Sequence, residues 1–173
     1  MSQTKMNKEK RDTRKIVDTE KKNDSQSNLQ CCADMIGLFH NKLVVVERLK
    51  EPIGFALPGG RLEADESLEQ CARREFKEET GFNFRNIKQI RTYSNPNRDP
   101  RGRKVSTVFV GYVSGIMKDE TNKTKVVLID LKDIEEYRMK FVFDHYRIIS
   151  DWLRLNNIKK IKLMLKSKRG QNG

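Results

Sequence analysis

An α/β layered domain is the fold class this sequence predicts. Strand-like apolar runs lie on both sides of one strongly amphipathic helical segment, a second helical segment follows the last run, and Gly, Pro and Asn mark the turns between them. The first strand is expected over Cys31 to Phe39, ending at a His40-Asn41 turn, and the second over Leu43 to Arg48. Phe55 to Leu57 reads as short and extended before a Pro58-Gly59-Gly60 turn. A helix is expected from Ser67 to Thr80. Ser67 can cap it, Gln70 answers three residues later, and Gly81 stands just past the last helical residue as a C-terminal stop. Strand-like segments follow at Phe84 to Tyr93, Val105 to Ser114 and Lys125 to Ile129, then a closing helix from Phe143 to Asn156. The chain has no internal repeat.

At 173 residues the chain fits one domain with a sizeable core. Residues 1–28 are nearly devoid of large apolar side chains and predict a disordered charged arm; residues 29–156 form the domain, and residues 157–173 a basic tail. The formal charge of +12 is concentrated at the ends, since residues 1–28 carry eight basic and five acidic side chains and residues 156–173 carry six basic and none acidic. Charge on tails rather than on a folded face favours solvation over a nucleic-acid surface. No apolar run is long enough to span a membrane, and the basic N-terminus has no hydrophobic segment behind it, so a soluble, cytoplasmic protein is expected. Cys31, Cys32 and Cys71 have no metal-site or disulfide spacing and are expected to be reduced core residues.

The amphipathic helix carries the chemistry. Winding it at about 100° per residue from Leu68 puts Ala72 at about 40°, Phe76 at about 80° and Cys71 at about 300°, which defines its buried stripe. Glu75, at about 340°, and Glu79, at about 20°, fall inside that stripe, and Glu78 sits on its margin. Glu69, Gln70, Arg73 and Lys77 take the solvated face. A charge run normally marks a solvated face; here the geometry opposes that reading. Carboxylates crowded onto a partly desolvated surface repel one another unless a cation neutralises them or they take up protons, and a hard cation such as Mg2+ or Mn2+ suits oxygen donors best.

Gly60, Glu66, Arg74, Glu75, Phe76, Glu78, Glu79, Gly81 and Phe82 occupy every specified position of a fixed-spacing pattern: Gly, five residues, Glu, seven residues, Arg-Glu-apolar-any-Glu-Glu-any-Gly-apolar. This segment resembles the box of the Nudix hydrolase family. The resemblance implies a Nudix-type α/β/α sandwich with a mixed sheet and a Mg2+- or Mn2+-dependent enzyme acting on a nucleotide-type substrate. It further implies metal binding by the Gly60 carbonyl oxygen, Glu75, Glu78 and Glu79, with Arg74 orienting a glutamate and Glu66 assisting. For Arg74 and Glu66, a surface ion pair and a helix-start carboxylate are equally open readings. The family's chemistry is attack by water on a phosphorus of a diphosphate linked to another moiety. Its general base lies in the box, as Glu79, or on a downstream loop, as Glu120.

Three arginines lie within six residues in Arg98-Asp99-Pro100-Arg101-Gly102-Arg103, more than a turn needs, and their forks suit phosphate oxygens. This stretch is similar to the matching loop of ADP-ribose pyrophosphatases, so Arg98, Asp99, Arg101 and Arg103 are expected to bind substrate. The implied reaction is ADP-ribose plus water to AMP plus ribose 5-phosphate. A nucleoside triphosphate pyrophosphatase with the same box is the alternative within the enzyme class. An ADP-ribose-sensing or RNA-binding module is the alternative outside it, opposed by an intact box and by the lack of room for a winged helix. A homodimer is a further expectation by analogy. Tyr93 and Phe109 are read first as core aromatics and His145 first as a core or helix-cap histidine.

Overall fold

Apolar runs at the start of the chain fold into the central strands because both of their faces are covered. The structure is a computed structural model that describes residues 29–169, with side chains through residue 157. Strand β1 (Gln30–Phe39) is buried without interruption from Cys32 to Leu38, the signature of a strand sandwiched between two layers. It pairs in parallel with β7 (Lys104–Gly115), from Gln30↔Lys104 to Leu38↔Tyr112. All its other neighbours are antiparallel, so the eight-stranded sheet is mixed. Strand β2 (Lys42–Arg48) turns back along β1 and is flanked by β3 (Gly54–Ala56) and β8 (Thr124–Asp130). The short β4 (Gly59–Arg61) pairs with β1 through Ala33↔Gly60, which makes the predicted glycine turn part of the sheet.

Side chains alternate across β1 as a strand requires. Ala33 and Met35 face helix α1 (Leu68–Thr80) in a core with Val44, Cys71, Ala72, Phe76 and Phe82. Ile36 and Leu38 face the opposite layer, helix α2 (His145–Arg169), in a core with Leu57, Ile148 and Ile149. The result is an α/β/α sandwich. The Phe76 ring is fully buried, and it fills the space that a side chain on Gly37 would need. Such an aromatic contributes about 1.5–3 kcal/mol by leaving water.

The structure corrects several sequence expectations. The single strand expected from Phe84 to Tyr93 is two, β5 (Phe82–Phe84) and β6 (Lys88–Tyr93), both paired to β7. The chain leaves the ladder between them, and the Asn86 carbonyl takes the space a side chain at Gly111 would occupy. A 3-10 helix spans Leu131–Lys140, where the sequence has no strong period. The closing helix begins at His145, because Phe143 adopts a left-handed backbone with φ 60°, and it continues past Asn156 to Arg169, into the expected basic tail. Cys31 is exposed at the start of β1 and is not a core residue, whereas Cys32 and Cys71 are buried; all three are free thiols. The expected arm over residues 1–28 lies outside the described residues. Among the described residues no helix is long and apolar enough to cross a membrane.

Candidate active site

Helix α1 is fixed at both ends, and this aims its carboxylates. Ser67 Oγ accepts from Gln70 N at 3.2 Å while Gln70 Oε1 accepts from Ser67 N at 2.7 Å, forming the predicted capping box. Gly81 closes the other end in the left-handed region at φ 79°. Between them Glu79 Oε2 accepts from Gly59 N at 3.0 Å, and the Glu75 carboxylate lies over Gly60 where a β-carbon would collide with it. Gly60 is therefore required for β4 to pack against the acidic face of α1, whereas at Gly59 a β-carbon would meet the Ala33 carbonyl and Asp34 of β1.

Arg74 gathers the remaining acids. It donates from Nε to Glu66 Oε2 at 3.0 Å and from Nη2 to Glu66 Oε1 at 2.6 Å, and from Nη1 to Glu75 Oε1 at 2.9 Å, with Glu78 3.6 Å from Nη1. These contacts favour an orienting role over a simple surface pair. The hydrogen bonds from Arg74 hold the Glu66 carboxyl down at about 2. The Gly60 carbonyl is less free than the sequence suggested. The bonds Met35 N to Pro58 O and Leu62 N to Cys31 O make Ala33–Gly60 a hydrogen-bonded pair by alternation, and Cys71 Sγ also donates weakly to Gly60 O at 3.8 Å.

Among the described residues no three Asp, Glu, His or Cys side chains converge closely enough to hold an ion. Arg74 donates to Glu75 and lies 3.6 Å from Glu78, and Gly59 N donates to Glu79. The donor chemistry nonetheless fits a hard divalent cation, since all candidate donors are oxygens and one of the carboxylates is desolvated. Burial pushes the Glu79 carboxyl up to about 7, opposed by the Gly59 N–H, with Glu75 and Asp34 adding to the rise. A raised carboxyl binds its proton more tightly in the folded state, so its contribution to stability is present at low pH and lost as pH climbs from its ordinary value of 4.5 to about 7. In EDTA, wild-type stability is therefore expected to fall relative to Glu79→Gln across that window, by about 3 kcal/mol or less. Denaturant titrations of both proteins at pH 5 and pH 7.5 measure this, and a constant difference would show that Glu79 is well solvated.

A cavity of about 420 Å³ opens beside the box, lined by Gly59, Gly60 and Glu79 on one side. Five cationic side chains (Arg48, Arg61, Arg98, Arg101, Lys104) face three carboxylates there (Asp34, Glu79, Asp99), so the cavity favours anions. Arg98 is placed differently from its expected substrate role. Its side chain is 4% exposed; Nη2 donates to Asp34 Oδ2 at 3.0 Å and to Asp144 Oδ1 at 2.8 Å, and Nε to Asp144 Oδ2 at 3.0 Å. It joins β1 to the start of α2. Asp99 is likewise a brace: it accepts from Arg101 N and Nε at 2.9 Å, from Arg101 Nη2 at 2.7 Å and from Lys104 Nζ at 2.7 Å. Burial alone would raise its carboxyl, but these hydrogen bonds hold it well below the usual carboxylate range. Arg103 donates to Ser94 O at 2.8 Å and does not line the cavity. Arg101, with 44% of its side chain exposed, is the arginine of the loop that combines cavity position with an available guanidinium edge.

His145 is buried, as expected, and its Nδ1 accepts from Leu57 N at 2.8 Å. Burial lowers its pKa, so it is neutral with the proton on Nε2, 3.7 Å from Asp34 Oδ2. Tyr93 and Phe109 are core aromatics, and Tyr93 donates to Asp151 at 3.2 Å. Glu120 is exposed on the connection over residues 116–123, 3.7 Å from Lys125, and does not line the cavity. That connection docks on the end of α1, where Lys118 N donates to Thr80 O and Lys118 Nζ to Glu78 O. Sequence reasoning missed Asp34, Arg48, Lys104 and Phe143. Asp34 alone left a signal, a lone charge inside an apolar strand.

A mixed-sheet sandwich that packs an acidic helix under a glycine strand, beside an anion-favouring cavity, defines a hydrolase-type domain built around the box. The chain belongs to the NUDIX domain family, whose pattern matches residues 31–152, and it is a Nudix hydrolase. It is similar to the ADP-ribose pyrophosphatase of Methanocaldococcus jannaschii, 37% identical over 120 residues that make up 68% of this chain and 69% of that protein. Among solved structures it resembles the Nudix domain of Shewanella oneidensis NrtR complexed with ADP ribose, at 27% identity and TM-score 0.62, covering 78% of this chain and 92% of that one. A bifunctional NMN adenylyltransferase/ADP ribose pyrophosphatase of Francisella tularensis, complexed with AMP and a Mn ion, shares the fold at 24% identity and TM-score 0.66 over 82% of this chain. The chain spans 46% of that protein's length.

Proposed function

We propose that this Nudix hydrolase cleaves ADP-ribose with water to AMP and ribose 5-phosphate, using Mg2+ or Mn2+. The observation that carries the reading is the placement of Arg101 in a cation-dominated cavity that also contains Gly59, Gly60 and Glu79 of the box. Similarity to the M. jannaschii ADP-ribose pyrophosphatase supports the choice of substrate. Glu75, Glu78, Glu79 and the Gly60 carbonyl are the residues to hold the metal, which supplies charge neutralisation at phosphate oxygens and lowers the pKa of a water. The chain's own part is to position. Arg101 holds phosphate oxygens, Asp99, itself braced by Lys104, holds Arg101 in place, and Arg74 orients Glu75 and Glu78. Water forms the new P–O bond, the bridging P–O bond breaks towards AMP or ribose 5-phosphate, and Glu79 is the cavity-lining carboxylate available to accept the proton.

A substrate panel with each metal tests the reading. AMP release from ADP-ribose is expected to exceed pyrophosphate release from nucleoside triphosphates by at least about tenfold in kcat/KM, roughly the discrimination one favourable polar contact provides. Preferential pyrophosphate release would make the chain a nucleoside triphosphate pyrophosphatase instead.

A further inference from the structure

Phe143 is the one non-glycine residue of the cavity wall with a left-handed backbone, at φ 60°. That conformation is costly for a bulky residue and persists only where neighbours over-determine it. They do so here. Val142 N donates to Phe55 O at 2.9 Å on one side, and on the other Asp144 is gripped by Arg98 and His145 by Leu57 N. The ring so placed has two guanidiniums against it: Arg101 at 4.5 Å from the centroid and Arg48 at 5.7 Å.

The two arginines are anchored differently. Arg101 is paired with Asp99, while Arg48 donates only to carbonyls, from Nε to Pro52 O at 2.8 Å and from Nη2 to Glu51 O at 3.1 Å. Arg48 thus has no carboxylate partner among the described residues, and Nη1 of each arginine makes no hydrogen bond among them. Burial, then the charge of Arg101, lowers the pKa of Arg48. Two cations held on one ring at the wall of an anion-favouring cavity, one of them with no carboxylate in contact, are arranged for an anion with several oxygens.

We propose that Arg48 and Arg101 form a clamp for the diphosphate of the substrate, with Phe143 as the positioning residue that sets the two guanidiniums side by side. The clamp rests on the reading of the cavity as a diphosphate site and adds Arg48 and Phe143 to it. It is built before metal binds, so it is expected to recognise pyrophosphate in EDTA.

The test combines calorimetric titration of inorganic pyrophosphate into the full chain in EDTA with steady-state kinetics on ADP-ribose in Mg2+. Arg48→Ala is expected to weaken pyrophosphate binding about tenfold or more and to raise KM similarly, with kcat within about threefold, as loss of a charged hydrogen bond to bound substrate requires. Arg48→Lys, which keeps the charge and loses the fork, is expected to fall between wild type and alanine. Phe143→Leu, which keeps both arginines, is expected to weaken binding several-fold. Lys132→Ala, a surface charge on the 3-10 helix, serves as the net-charge control and is expected to bind as wild type does. Wild-type affinity in both Arg48→Ala and Phe143→Leu, or no pyrophosphate binding by the wild type, would overturn the clamp. Failure to hydrolyse ADP-ribose with Arg48-dependent pyrophosphate binding intact would instead remove the substrate assignment and leave the clamp standing.

Discussion

Glu79→Gln is expected to lower metal-dependent turnover on the order of 10³-fold or more while the domain stays folded. The substitution is nearly isosteric, and a glutamine oxygen can still accept from Gly59 N, the 3.0 Å bond that ties α1 to β4. What disappears is a charge that would help hold the metal, and a bound metal is worth several kcal/mol of transition-state stabilisation, with each 1.36 kcal/mol a factor of ten in rate. Folding and catalysis are thus expected to move in opposite directions, since near neutral pH the variant no longer carries a charge that burial disfavours. Glu78→Gln is expected to lose turnover as well, but with little change in stability, because its side chain is 59% exposed. Steady-state kinetics at saturating Mg2+ and Mn2+, with denaturant titrations in EDTA, measure both quantities. Near-normal turnover in Glu79→Gln together with a large loss in Glu120→Gln would move the base to the loop over residues 116–123 and leave Glu79 a structural acceptor.

These expectations depend on features that were unevenly legible in the sequence. Helix α1 could be read because its signals are local. Ser67, Gln70 and Gly81 act within one turn of their partners, and the apolar stripe of Cys71, Ala72 and Phe76 has the helical period. The intrusion of Glu75 and Glu79 on that stripe was legible for the same reason, and the desolvation of Glu79 follows from it. The strand break after β5 and the left-handed Phe143 were not legible, because each is imposed by tertiary neighbours: Gly111 below Asn86, and the anchors on either side of Phe143. The arginine loop shows the limit most clearly. Composition identified Arg98, Arg101 and Arg103 as equals, but their roles depend on what lies opposite. Arg98 meets Asp34, 64 positions away, and Asp144, 46 positions away, whereas Arg103 meets only a backbone carbonyl of its own loop. A local pattern records that a fork is present and says nothing of which carboxylate the fold will bring to it.

That same long-range pairing underlies the second large effect, Arg98→Ala, which is expected to destabilise the domain by about 3–5 kcal/mol. Surface ion pairs are worth about 0–1 kcal/mol, and the difference is burial. The Arg98, Asp34 and Asp144 side chains are 4%, 10% and 15% exposed, so removing the cation leaves two carboxylates without water or counter-charge, beside a neutral His145. Replacing all three groups with apolar or neutral residues of similar size is expected to cost far less than Arg98→Ala alone, since no charge then remains uncompensated. Chemical denaturation at pH 7 measures the series, and a loss of less than about 1 kcal/mol for Arg98→Ala would show that water reaches the two carboxylates. The consequence reaches the site as well. Asp144 is the residue after Phe143, so releasing it frees the left-handed backbone to relax and the ring to leave Arg48 and Arg101. In variants still folded at the assay temperature, KM is therefore expected to rise with the loss of stability, although Arg98 itself is committed to Asp34 and Asp144.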